Sequence, residues 1–203
     1  MKDRDAVKAA ALHQDSQRTG LGLRTFEAVL ASESPIYDHP KSGTLRRAWP
    51  WQTTPPEMHK PDLARVAHHE AGHAVLLEWL GMEGVTATAS PTSGLCHMPP
   101  GCLENLPDPP PDHDGRLTAT AASIFHGGAM GEMIYLGTKW TGPLHYPKQV
   151  DYQRADDMLA PRFGRHSSAG HAFAQRVALH VLADRWPRVK HIAGVLVRHG
   201  VWP

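Results

Sequence analysis

His69-Glu70-Ala71-Gly72-His73 carries two imidazoles and a carboxylate in the spacing His-Glu-x-x-His. At about 3.6 residues per turn, side chains four apart share a helix face, so both imidazoles can reach one Zn²⁺ while the carboxylate reaches its water. A zinc ion held this way lowers the pKa of its water toward about 7. A Glu outside the ligand set then takes the proton as the water attacks a carbonyl, and returns it to the leaving amine. Glu70 is the candidate catalytic base, and His69 and His73 are candidate metal ligands. With 15 histidines among 203 residues, the bland alternative is a polar helix face that binds nothing.

That chemistry needs a helix under the motif. Pro61-Asp62 precede an apolar-periodic run (Leu63, Val66, Ala67, Ala74, Leu77, Leu80) that stops at Gly81, so a helix is predicted over residues 62–80. Short strands are predicted at Val85 to Thr88 and Leu95 to His97, around the turn Ser90-Pro91-Thr92-Ser93-Gly94. Pro99 to Asp114 reads as a proline-stiffened loop. Further helices are expected from Arg116 to Leu136, from Asp151 to about Ala160 and from Ala169 to Asp184. A last helix has Pro187 in its first turn and Gly200 just past its end. Residues 1–60 hold two modest helical starts, near Val7 and Leu23, and then a Pro- and Trp-punctuated stretch from Pro35 to Pro61. They read as an N-terminal appendage or arm, set apart from a domain over residues 61–203 that carries the motif.

Composition narrows the classes. A hydrophobic content of 41% suffices for a sizeable core, and a net charge of +1 leaves no electrostatic footprint for nucleic acid. No apolar stretch is long enough to span a bilayer, and the N-terminus lacks the apolar core of a signal peptide, so the expected location is cytoplasmic, with no membrane partner. Cys96 and Cys102 form no disulfide framework and suit free thiols better than a second metal site with His97 or His113. The tryptophans, including Trp49, Trp51 and Trp186, read as packing anchors.

Zinc needs a third protein ligand, leaving the fourth position to water. No third histidine follows His73 closely, since Ala74-Val75-Leu76-Leu77-Glu78 come next. Spacing alone leaves Glu132, Asp151, Asp156, Asp157, His126 and His145 open.

The segment from Ala67 to Val75 resembles the His-Glu-Ala-Gly-His segment of the FtsH-type zinc peptidases. Three further blocks follow in that family's order: Gly127-Gly128-Ala129-Met130-Gly131-Glu132, similar to its Gly-Gly-x-x-x-Glu helix; Thr141-Gly142 with Asp151-Tyr152-Gln153-Arg154-Ala155, similar to its Thr-Gly segment and Asp-x-x-x-Ala helix; and the terminal helical pair. The resemblance implies a mainly α, zincin-like helical metallopeptidase domain with a small β element. It also implies Asp151 as third zinc ligand, with Glu132 supporting a ligand histidine, and substrate paired along an edge strand resembling Gly94 to Met98. Asp151 could instead serve as an N-cap, and Glu132 as an ordinary surface residue.

The chain departs from the family in three ways. The loop between Thr141-Gly142 and Asp151 is longer, Ala129 and Met133 replace an Arg and a Glu, and no Gly-x-x-x-x-Gly-Lys-Ser/Thr loop is present. The expectation is therefore a stand-alone, ATP-independent zinc endopeptidase acting on peptides or unfolded proteins, without the ATPase and membrane segments. The rivals are a non-catalytic metal-binding or structural helical protein that keeps the same fold, and a hydrolase acting on another bond.

Overall fold

The computed structural model describes residues 48–98 and 115–203. The helical starts near Val7 and Leu23, the first part of the stretch from Pro35 to Pro61, and the whole loop from Pro99 to Asp114, with Cys102 and His113, lie outside the described residues. The described chain is mainly helical with a small sheet.

Asp62 begins the motif helix. Its extended backbone and its carboxylate, which accepts from the amides of Ala64 (2.8 Å) and Arg65 (3.3 Å), satisfy donors that an open helix end would strand. Helix α1 (Leu63–Trp79) then runs to Leu80, and Gly81 turns the chain with a φ of 85°. Two short strands follow, β2 (Thr86–Ala89) and β3 (Gly94–His97), after an earlier two-residue strand β1 (Gln52–Thr53). β2 pairs antiparallel with β3 in the register Thr88↔Leu95, and on its other side with β5 (Val201–Trp202), which leaves β3 at an edge among the described residues.

Helix α2 (Arg116–Tyr135) is the central element. It packs against α1, against α3 (Val150–Phe163) and against α4 (Ser168–Asp184), and it buries residues on nearly every side. Where α1 and α2 cross, glycines let the backbones touch: a Cβ on Gly127 would come 2.7 Å from Leu76 and 2.9 Å from the Gly72 carbonyl oxygen. Helix α5 (Trp186–His199), ended by Gly200 in the left-handed conformation, closes over α1. Leu76, Leu80, Met130, Met133, Leu159, Leu182, Ile192 and Leu196 form the centre of one continuous core.

Residues 48–60 sit on this frame. β1 runs parallel to β4 (Leu144–His145), the Trp49 amide donates to the Ser168 hydroxyl at 2.9 Å, and the Trp49 ring lies 5.6 Å from that of Trp140. A single 3₁₀ turn at Pro56–His59 buries Met58. Helix α3 passes the expected stop before Pro161 and ends at Phe163, where the Gly164 amide still reaches the Ala160 carbonyl (2.9 Å). Among the described residues, no helix is long and apolar enough to cross a membrane.

Candidate metal centre

Helix α1 brings His69 and His73 onto its α2-facing side, and their Nε2 atoms stand 3.2 Å apart. Asp151, in the first turn of α3, places Oδ2 at 3.4 Å from His69 Nε2 and 3.3 Å from His73 Nε2. Among the described residues these three form a group whose ligand atoms all lie within 4.8 Å of one another and that could hold a metal ion. Asp151 does not cap its helix: the N-cap is Gln149.

The rings are oriented from behind. His69 Nδ1 donates to Glu132 Oε1 at 2.6 Å, and the other oxygen of Glu132 accepts from Arg65 at 2.7 Å. His73 Nδ1 donates to the carbonyl of Ile124 at 2.8 Å. A carboxylate and a backbone carbonyl accept, so each Nδ1 carries a hydrogen, and each Nε2, when unprotonated, turns its lone pair inward. Two lone pairs and a carboxylate oxygen facing each other at these distances call for a cation between them. Glu132, only 3% exposed, is thus a support for His69 rather than a surface residue.

Without metal, a proton fills that need. Burial works against charge on His69, yet its hydrogen bonds to Asp151 and Glu132 prevail and raise its pKa to about 10. Burial likewise favours neutral Asp151, but His69 and His73 outweigh it and hold the carboxyl well below the usual carboxylate range. Glu70, 5% exposed on the same helix, is pushed upward by burial, against the pull of His73 and His69. The β3 backbone lies flush against it, since a Cβ on Gly94 would fall 2.5 Å from Glu70 Oε1. Beside it on β3, the Cys96 thiol is pushed up to about 12 by burial and by the charges of Glu70, Asp151 and Glu78, so it stays protonated.

The other carboxylates and imidazoles left open by spacing go elsewhere. Asp157 pairs with Arg165 at the surface (3.0 Å), and the His145 ring lies tilted against Trp51 with ring centres 4.8 Å apart. His126 and Asp156 are fully buried in a separate hydrogen-bonded chain with His171 and Tyr146. Trp186 lies against the ring of His68, 5.6 Å away, as packing. Sequence reasoning gave no role at the site to Arg65, the Ile124 carbonyl or Gly128. Of these only Gly128 carried a signal: within Gly127-Gly128-x-x-Gly131 it marks a helix face approached closely, and an added Cβ there would overlap the His69 ring. The chain matches no family model, no curated protein and no solved structure.

Proposed function

We propose that this chain is a zinc-dependent, ATP-independent endopeptidase acting on peptides or unfolded proteins, with His69, His73 and Asp151 as zinc ligands and Glu70 as general base. The observation that carries the reading is the triangle of Nε2, Nε2 and Oδ2, with edges of 3.2, 3.4 and 3.3 Å. Ligands about 2.0–2.1 Å from a tetrahedral zinc stand roughly 3.3 Å from each other, so the triangle has the dimensions of one face of a zinc site whose fourth position is open. Nitrogen and carboxylate donors, each oriented by a partner beyond it, also suit this ion.

Zinc, when bound, supplies a Lewis acid that acidifies water and polarises a carbonyl. The chain's own residues supply the rest. Glu70 lies outside the ligand triangle but on the same helix, one residue after His69, in a buried place that favours uptake of a proton. It accepts the proton of the attacking water and returns it to the departing amine. Glu132 and the Ile124 carbonyl keep both imidazoles in the tautomer that binds metal. β3, at the edge of its sheet among the described residues and against Glu70, could pair its outer backbone with an extended substrate, which fits broad rather than sequence-strict recognition.

Elemental analysis of the purified chain and digestion of an unfolded substrate test the proposal. Glu70→Gln is expected to keep stoichiometric zinc and lose at least about a hundredfold in rate. A chain that holds zinc but cleaves no peptide would be a metal-binding protein or another hydrolase. One that holds no metal would be a structural helical module.

A further inference from the structure

Behind the ligand triangle runs a second line of polar groups outside the candidate ligand set, buried along its length and meeting the exposed Arg165 only at its Asp156 end (3.4 Å). Asp156 Oδ1 accepts from His171 Nε2 (3.2 Å), His171 Nδ1 meets His126 Nε2 (3.0 Å), and His126 Nδ1 meets the Tyr146 hydroxyl (2.6 Å). Exposure is 2% for Asp156, zero for both histidines and 6% for Tyr146. Burial lowers His171 to about 4 and His126 well below its ordinary range, so both rings are neutral and each has one N–H. The direction of the chain is then fixed: His171 donates to the carboxylate, His126 to His171, and Tyr146 to His126.

Four polar groups in a core are costly unless each is satisfied, and an apolar set of similar shape would often hold the helices as well. What this set adds is placement. Tyr146 stands five residues before Asp151 and Asp156 five after it. Tyr152, the next residue in α3, stacks face to face on His171, with ring centres 4.4 Å apart and planes within 7°. Asp156 is further gripped by the His166 amide (2.6 Å), and His166 adopts a φ of 53°, a conformation uncommon outside glycine. The first turn of α3 is therefore held before and after Asp151 to His126, and His126 lies two residues from Ile124, whose carbonyl orients His73.

We propose that the chain Asp156–His171–His126–Tyr146 is a positioning network that fixes the Asp151 carboxylate against His69 and His73 and thereby sets metal affinity. The inference rests on the metal-centre reading but not on peptide hydrolysis. Full-length wild type, His171→Phe, Asp156→Asn and Tyr146→Phe would be titrated with Zn²⁺ against a chromophoric chelator, and their Co²⁺ absorption bands recorded. The last two variants preserve side-chain shape should the first fail to fold. Leu196→Ala, a core truncation in α5, is the control for loosening alone.

The expected result is a 10- to 100-fold weaker Zn²⁺ affinity in His171→Phe or Asp156→Asn, a smaller loss in Tyr146→Phe, and shifted Co²⁺ bands in all that fold. Leu196→Ala should melt earlier with its affinity and bands unmoved. Wild-type affinity and spectrum in the folded network variants would overturn the inference, as would an equal change in Leu196→Ala. Wild type that takes up neither ion would refute the metal centre and the inference together. Wild type that binds zinc without cleaving peptide, with the variants weakened as expected, would refute only the peptidase.

Discussion

Gly128→Ala sets helix stability and site geometry against each other. In a helix interior, alanine is ordinarily favoured over glycine by about 1 kcal/mol. At Gly128 the new Cβ would overlap the His69 ring, lying 2.5 Å from its Cε1 and closer still to Nε2 and Cδ2. The ring cannot swing aside freely, because Glu132 holds one nitrogen at 2.6 Å and Asp151 stands 3.4 Å from the other. Overpacking of this kind costs about 1–3 kcal/mol, so the metal-free protein should be destabilised by only roughly 0–2 kcal/mol net. The metal response should suffer more. At zinc one hundred times above its Kd, the wild type gains about 2.7 kcal/mol, whereas a hundredfold weaker site gains about 0.4. The difference, about 2.3 kcal/mol, corresponds to roughly 5–9 °C of zinc-induced Tm shift for a chain of this size. Thermal melts with chelator and with zinc measure both quantities. A Gly128→Ala protein with the wild-type zinc shift would show that the α1–α2 contact does not seat His69.

Glu132→Ala should weaken zinc about 10- to 100-fold, and Asp151→Ala should do so more severely; the reverse ranking by chelator competition would exchange their roles. If the chain is the proposed zinc peptidase, Gly94→Ala, which presses a Cβ against Glu70, should lower the rate while leaving zinc content intact, so loss of zinc would place β3 against the ligands instead. In the metal-free protein, the raised pKa of His69 means its stabilising charge is complete below about pH 6.5 and lost as pH rises through about 10. Asp151, depressed, contributes above about pH 3.9 and is lost as pH falls toward its lower folded value. Urea titrations should therefore find metal-free stability declining from about pH 6.5 upward, and an increase there would contradict the His69–Asp151 pairing. Because zinc must displace the His69 proton, its apparent affinity should rise roughly tenfold per pH unit between about 6.5 and 9, and a flat profile would refute that competition.

What could be read in the sequence follows the range of the forces involved. Asp62, the apolar period of α1 and Gly81 act within a few residues, so the motif helix was legible almost to its ends. The turn at Ser90 to Gly94 was equally local, and both strands beside it were visible. β1, β4 and β5 have two residues each, too few to show a period, and form because distant segments meet them. The place of Asp151 belongs to this second class. Its distance from His73 in the fold depends on the turn between α2 and α3, which no spacing rule specifies, and only the resemblance to a known motif singled it out.

Glu132 shows the same boundary more sharply. Its sequence neighbourhood leaves surface and buried roles equally open, and the choice is made by the glycine contact that brings α2 against His69 and Arg65. The buried chain lies further beyond local reading, since its bonds join residues 20 and 45 positions apart. Polar residues at core-facing positions of α2 and α4 look like interruptions of an apolar pattern until the partners across the helices are known. One central helix unites these features. α2 supports His69 through Glu132, His73 through the Ile124 carbonyl, and both flanks of Asp151 through His126 and its partner His171, so rotation of α2 would disturb all three candidate ligands together.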